Sequence, residues 1–231
     1  MLIEHGGVRL LTDPVLRGRI MHIRRHGPVP ETPESVDAVL VSHLHYDHLD
    51  LPSLRKIGTQ VRVIVSCGAG AYLRKAGFVA VDELQAGEST AVEAVSVTAT
   101  PAEHDSRRRP LGPSAEPLGF VSRTSKHSVY FAGDTDVFAA MDEIGPVDVA
   151  LLPVAGWGPK VPAGHLNPQS AARAAALIRP RVVIPIHWGT LHSARVGSWF
   201  RDPPHAFAAH VAEVAPEVEV RVLAPGESLE L

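Results

Sequence analysis

Four short apolar runs in this chain each stop at a residue that can hold a metal ion, and the fold must bring those four stops together if they share a task. Residues 37–41 lead into Ser42-His43-Leu44-His45-Tyr46-Asp47-His48-Leu49-Asp50, and residues 95–101 lead to Glu103-His104-Asp105. Residues 129–133 lead to Asp134, and residues 182–186 lead to His187. β-branched runs bounded by Gly, Pro, Asp or Ser read as strands, so each candidate ligand sits at a strand tip, where loops vary without loss of the core. His43 and His45, two residues apart on leaving a strand and joined at once by Asp47 and His48, can converge on ions a few ångströms apart. Imidazole nitrogen with carboxylate oxygen and no thiolate suits a borderline divalent metal such as zinc. Alone, His104 or His187 reads as a hydrogen-bonded core histidine and Asp134 as a helix cap. Their joint occurrence with the 43–48 segment makes one metal centre the better reading.

The remaining pattern is that of a mixed α/β protein. Further strand-like runs occupy residues 8–11, 61–65, 147–152 and 218–223, and those before His43, His104 and Asp134 are read as 38–42, 92–99 and 129–132. Helical stretches fall at 69–76, 137–144, 167–178 and 206–214, and the third has Asn167 as cap, Pro168 in the first turn and Pro180 beyond its end. Alternating strands and helices predict layers rather than a bundle, and 231 residues are expected to form one domain, 1–231. A net charge of -3 gives no reason to expect a nucleic-acid partner. No signal peptide or membrane-spanning run is seen, which predicts a soluble, cytoplasmic protein. Cys67, the single cysteine, reads as the buried end of a strand. Thirteen histidines are the unusual count, and imidazole is the commonest metal ligand.

His43-x-His45-x-Asp47-His48, then His104, Asp134 and His187 in that order, resemble the metal motifs of the metallo-β-lactamase-fold hydrolase superfamily. The resemblance runs from Leu10-Leu11-Thr12-Asp13 to Pro185-Ile186-His187-Trp188-Gly189-Thr190. Within the superfamily the chain is similar to the branch of N-acyl phosphatidylethanolamine phospholipase D and the ascorbate-phosphate lactonases, through Asp47-His48-Leu49-Asp50, Pro101-Ala102-Glu103-His104, Phe131-Ala132-Gly133-Asp134-Thr135, His165-Leu166-Asn167-Pro168 and Ile186-His187-Trp188-Gly189-Thr190. The resemblance implies a four-layer αβ/βα sandwich with the site at one edge of two sheets. It also implies two divalent ions, zinc first and manganese or iron as alternatives, with His43, His45 and His104 on one, Asp47, His48 and His187 on the other, and Asp134 between them. The chain departs from the superfamily in two places. It begins at what matches the second strand, so that either its start is shortened or an edge is exposed that can pair with another copy, and its 105–109 loop is rich in arginine.

The chemistry so implied is hydrolysis, because two divalent ions bring a shared water from a pKa of about 15.7 toward about 7. The expected substrate is small or lipid-like, first a phosphodiester, with a lactone or carboxylic ester as the alternative; an iron-containing redox site and a non-catalytic metal protein are readings of other classes. Asp47 and His165 are the expected catalytic residues, His165 as a proton donor at a helix start. Asp13, Asp50 and Glu103 are candidate acceptors behind the histidines. Arg107 and Trp188 are candidate substrate contacts, Trp157 is a second pocket-or-core tryptophan, and Arg17, Arg19, Arg24 and Arg25 with the Arg107–Arg109 run form a candidate phosphate-gripping lid.

Overall fold

A computed structural model describes residues 1–105, 107, 108, 112–193, 195 and 197–231, with the backbone alone at 198. The chain opens with a hairpin of β1 (Leu2–His5) and β2 (Val8–Thr12), then a smaller one of β3 (Arg19–Ile20) and β4 (Ile23–Arg25). Strands and helices then alternate through β5 (Ala38–Val41), α1 (Leu51–Ile57), β6 (Arg62–Ser66), α2 (Gly70–Lys75) and β7 (Val81–Leu84). An antiparallel run follows, β8 (Ser89–Val92), β9 (Val95–Pro101), β10 (Leu118–Arg123) and β11 (Ser128–Phe131). The rest is β12 (Val149–Pro153), α3 (Pro168–Ile178), β13 (Val182–Ile186), β14 (Leu191–His192), α4 (Ser198–Arg201), α5 (Pro203–Val214) and β15 (Glu219–Val220).

The strands assemble into sheets of order β1-β2-β5-β6-β7 and β15-β13-β12-β11-β10-β9-β8, with a small third sheet β14-β4-β3. Side chains alternate across a strand, and both faces of the two large sheets are covered. Ala38 and Leu40 of β5 face the core between the sheets, where they meet Phe120, Val149 and Ile184, while Val39 and Val41 face Leu54 of α1 and Leu73 of α2. In β12, Val149 and Leu151 look inward, whereas Ala150 and Leu152 pack on Ala171 and Ala175 of α3 and Phe207 of α5. Doubly covered strands need unbroken apolar runs rather than alternation, which is the pattern the sequence carries. The result is the four-layer αβ/βα sandwich expected from the resemblance. No helix among the described residues is long and apolar enough to cross a membrane.

Several elements differ from the sequence expectation. The run 92–99 is not one strand: Glu93, at φ 50, turns the chain so that β8 and β9 pair with Val92 opposite Val95. The expected helix 137–144 is a single 3-10 turn at Ala139–Glu143. The expected last strand, 218–223, is β-paired only at Glu219 and Val220. Helix α1 has no counterpart among the expected helices; its cap is Asp50, whose side chain accepts from the Ser53 amide.

The topology places the candidate ligands. β2, β5 and β6 are mutually parallel in one sheet, and β11, β12 and β13 in the other. β9 is antiparallel to β10, which is antiparallel to β11, so two reversals restore its direction. The C-terminal ends of β2, β5, β9, β11, β12 and β13 therefore share one edge of the sandwich.

Candidate metal centre

The turn after β5 carries His43, His45, Asp47 and His48, and neighbouring strand ends are tied to it or to one another by hydrogen bonds. The Leu118 amide donates to Ser42 O at 2.9 Å. The Glu103 amide donates to Thr135 Oγ1 at 2.9 Å and Asp136 N to Glu103 O at 2.8 Å, which holds His104 beside Asp134. Two glycines permit the approach. A Cβ on Gly133, whose φ is +62, would lie 2.4 Å from Ser42 Cβ, and one on Gly164, φ +77, would lie 3.3 Å from His104 Nδ1. His187 has φ 60 and Asp13 φ 39, left-handed conformations that cost non-glycine residues roughly 1–3 kcal/mol and cluster at functional sites.

Two donor groups result. His43, His45 and His104 form the first, with His43 Nε2 and His104 Nε2 each 3.0 Å from His45 Nδ1. Asp47, His48, Asp134 and His187 form the second. In it His48 Nε2 lies 3.2 Å from Asp47 Oδ2 and 3.1 Å from Asp134 Oδ2, and His187 Nε2 lies 3.4 and 3.6 Å from the same two oxygens. Four ligands at about 2.0–2.1 Å around a tetrahedral ion are separated by about 3.3–3.4 Å, so these separations fit an ion at the centre of the group. Asp134 Oδ1 and His48 Nε2 are buried without hydrogen-bond partners, a situation that an ion would relieve, and Asp47 Oδ1 is buried and unpartnered beside them.

Four of the five rings are oriented by their other nitrogen. His48 Nδ1 donates to Asp13 Oδ2 at 2.6 Å, His104 Nδ1 to Gly164 O at 2.7 Å and His187 Nδ1 to Ala155 O at 3.0 Å. Ser42 Oγ donates to Asp13 Oδ2 at 2.5 Å and accepts from His43 Nδ1 at 3.0 Å. Asp13 also receives the Ser42 amide at 2.8 Å, so this one carboxylate sets the orientation of two rings. Asp13→Ala is expected to weaken zinc binding about 10–100-fold, read by chelator competition. Unchanged affinity would reduce Asp13 to a turn residue.

Charge divides the groups. Burial, aided by the neighbouring His48 charge, holds His43 well below the ordinary imidazole range; burial also lowers His45 and takes His104 down to about 4. Burial equally opposes charge on His48 and His187. There the carboxylates win: Asp134, Asp47 and Asp13 hold His48 well above its ordinary value, and Asp134 with the Asp47 hydrogen bond raises His187 to about 9. Asp47 and Asp134 stay far below the carboxylate range despite burial, because His48 and His187 face them. Without an ion, protons on two histidines balance the acids.

The other candidates are distributed more widely. His165 lies with Nε2 3.4 Å from Asp134 Oδ2 and its ring 4.5 Å from that of His104. Asp50 accepts from Arg17 at 2.9 and 2.5 Å and from Ser53, and so faces away from the histidines. Glu103 is held through its main chain, and no hydrogen bond joins its carboxylate to a described histidine. Arg107 is exposed, its amide held by Asp105 Oδ1 at 3.0 Å. Arg108 is buried; it donates to Leu44 O at 2.5 Å and Leu49 O at 3.0 Å and lies 4.2 Å over the Tyr46 ring, so it stitches the ligand turn. Arg109 lies outside the described residues. Arg25 donates to Val15 O and Arg17 O, and Arg19 to Met21 O. Trp188 packs on the α3 layer and donates to Pro185 O at 2.9 Å. Trp157 donates its indole N–H to Asp47 Oδ2 at 2.7 Å, a contact that no sequence spacing announces across 110 residues.

The match to the beta-lactamase superfamily domain covers residues 8–188, which contain every residue of both donor groups. The chain belongs to the beta-lactamase superfamily. It is 34% identical to a UPF0173 metal-dependent hydrolase of Methanopyrus kandleri, covering 99% of this chain and 94% of that one. It is 32% identical to an uncharacterized protein of Mycobacterium tuberculosis, over 99% of this chain; this chain spans 66% of the length of that relative. Among solved structures, Igni18, a metallo hydrolase from the archaeon Ignicoccus hospitalis, superposes with a TM-score of 0.75 at 26% identity, over 99% of this chain and 92% of the other.

Proposed function

We propose that this chain, as one hydrolase domain, cleaves a phosphodiester with water at a pair of divalent ions, zinc first. The carrying observation is the pair of donor groups described above, with Asp134 reaching both: it belongs to the second group and, through His104 and His165, to a further cluster that overlaps the first. His43, His45 and His104 would hold one ion and Asp47, His48 and His187 the other, with Asp134 shared. A carboxylate has two oxygens and offsets the repulsion of cations about 3.5–4 Å apart. Such ions acidify a water toward neutral pH and withdraw charge from the scissile oxygens.

The protein's own groups do the rest. Asp47, through its otherwise unpartnered Oδ1, accepts a proton of the attacking water and turns a lone pair toward the substrate. His165 holds a proton at Nε2 and passes it to the departing oxygen. Asp13 keeps His48 in the tautomer that leaves Nε2 facing the centre. The phosphodiester is supported by the motif resemblance to the phospholipase D and lactonase branch.

One observation favours a second substrate, a lactone or other carboxylic ester. Arg17, Arg19, Arg25 and Arg108 are committed to protein acceptors, which removes four of the seven arginines of the expected phosphate clamp. The zinc-loaded protein is expected to turn over bis(p-nitrophenyl) phosphate at least about tenfold faster than any member of a lactone panel, with two zinc equivalents per chain. Lactone-only turnover selects the second substrate. Iron with visible absorbance, and no hydrolysis after zinc or manganese loading, removes the hydrolytic reading.

A further inference from the structure

Trp157 stands in the loop after β12, between Gly156 and Gly158. Its carbonyl accepts from the Ser193 amide at 2.8 Å and the Ser193 hydroxyl at 3.1 Å, which anchors the residue from outside the metal centre. Its indole N–H reaches Asp47 Oδ2 at 2.7 Å, the oxygen that His48 Nε2 and His187 Nε2 approach at 3.2 and 3.4 Å. Asp47 Oδ1 is buried with no partner. The two oxygens of this carboxylate are thus made inequivalent by one donor outside the ligand set. That donor is an indole N–H, which neither ionises nor competes for a metal.

We propose that Trp157 is a positioning residue for the metal centre: its N–H fixes the rotation of the Asp47 carboxylate, so that Oδ2 points to the place between His48 and His187 that an ion would take, while Oδ1 stays free. The inference rests on the reading of Asp47 as a ligand. A second effect follows from the same ring. It forms one wall of a pocket of about 140 Å³ with Met21, His22, Tyr46 and Arg108, next to His45. Loss of the whole side chain therefore removes two things, and loss of the N–H alone removes one.

Trp157→Phe keeps an aromatic, though smaller, pocket wall and deletes the donor. Zinc affinity is measured by chelator competition, and the visible spectrum of the cobalt-loaded protein is recorded beside it. The W157F variant is expected to bind one of its two zinc equivalents about 10–100-fold more weakly and to alter the cobalt bands, with KM close to that of the parent. W157A should bind zinc no better than W157F and should also raise KM. Wild-type affinity and an unchanged cobalt spectrum in W157F would overturn the proposal and leave Trp157 as packing. D47A measured in parallel separates the two levels. If D47A binds both zinc ions normally, the ligand assignment itself fails; if D47A loses one and W157F does not, only the role of Trp157 fails. Should W157F not fold, the native chain labelled with 15N-tryptophan supplies the readout. Zinc must then move the Trp157 indole resonance, with Trp199, whose indole N–H is bonded to Arg195 O rather than to a ligand, as the internal control; a stationary Trp157 resonance overturns the proposal.

Discussion

Asp134→Ala is expected to lower kcat/KM by at least about 10³-fold, because the water activation that a metal pair supplies spans many pKa units, and to reduce zinc from two equivalents to one or none. Asp134 follows the close contact of Gly133 with Ser42, so its position is set by backbone packing rather than by a flexible side chain. Its Oδ2 lies 3.1 Å from His48, 3.4 Å from His165 and 3.6 Å from His187. Alanine removes the acid that these three rings share and leaves the rings in place. The fold should survive, since His48 and His187 can discharge by losing protons, a cheaper outcome than the roughly 3–5 kcal/mol of an uncompensated buried charge. Stoichiometry by elemental analysis and turnover on the same preparation check the prediction. A variant with full turnover and two bound ions would remove Asp134 from the site.

The second large effect is in pH. For the metal-free protein, His187 is raised to about 9 and His48 is raised as well. Their contribution to stability is complete below the unfolded value of about 6.5 and is lost as pH climbs through about 9. His43, His45 and His104 are lowered, His104 to about 4. Their contribution is present above about 6.5 and disappears as pH falls toward 4. Asp47 and Asp134, both depressed, add to the acid loss below about 3.9. The metal-free thermal midpoint should therefore peak near neutral pH and decline on both sides. Zinc replaces the protons on His48 and His187, so its addition at pH 7 should release protons into weak buffer, and its apparent affinity should rise with pH up to about 9. The alkaline decline in stability should vanish in the zinc form. Calorimetry in buffers of different ionisation enthalpy counts the protons; zinc binding without proton release at pH 7 would refute the assignment of His48 and His187 to the ion.

Much of this molecule is legible in its sequence. His43, His45, Asp47, His48, His104, Asp134 and His187 could be picked out because each follows an apolar run that ends abruptly, and because strands buried on both faces leave continuous runs of Val, Ile, Leu and Ala in one dimension. The cap and prolines of α3 were equally visible, being local. Less legible were features that depend on a few residues in a turn, such as Glu93 splitting β8 from β9 or Asp50 starting α1. There a single backbone conformation outweighs the propensity of the flanking run.

Polar partnership was the part that only tertiary structure decided. Asp13 and Asp50 are both acids beside turns, yet one receives His48 and the other Arg17. Among neighbouring arginines, Arg108 is turned inward to the ligand turn and Arg107 is exposed. Trp157 and Trp188 look alike in sequence, but one reaches Asp47 and the other a carbonyl three residues back. Burial leaves its signature in local periodicity because the hydrophobic effect is non-directional and follows area. A hydrogen bond depends on tenths of an ångström between atoms brought together by the whole fold, and no pattern along the chain encodes that separation.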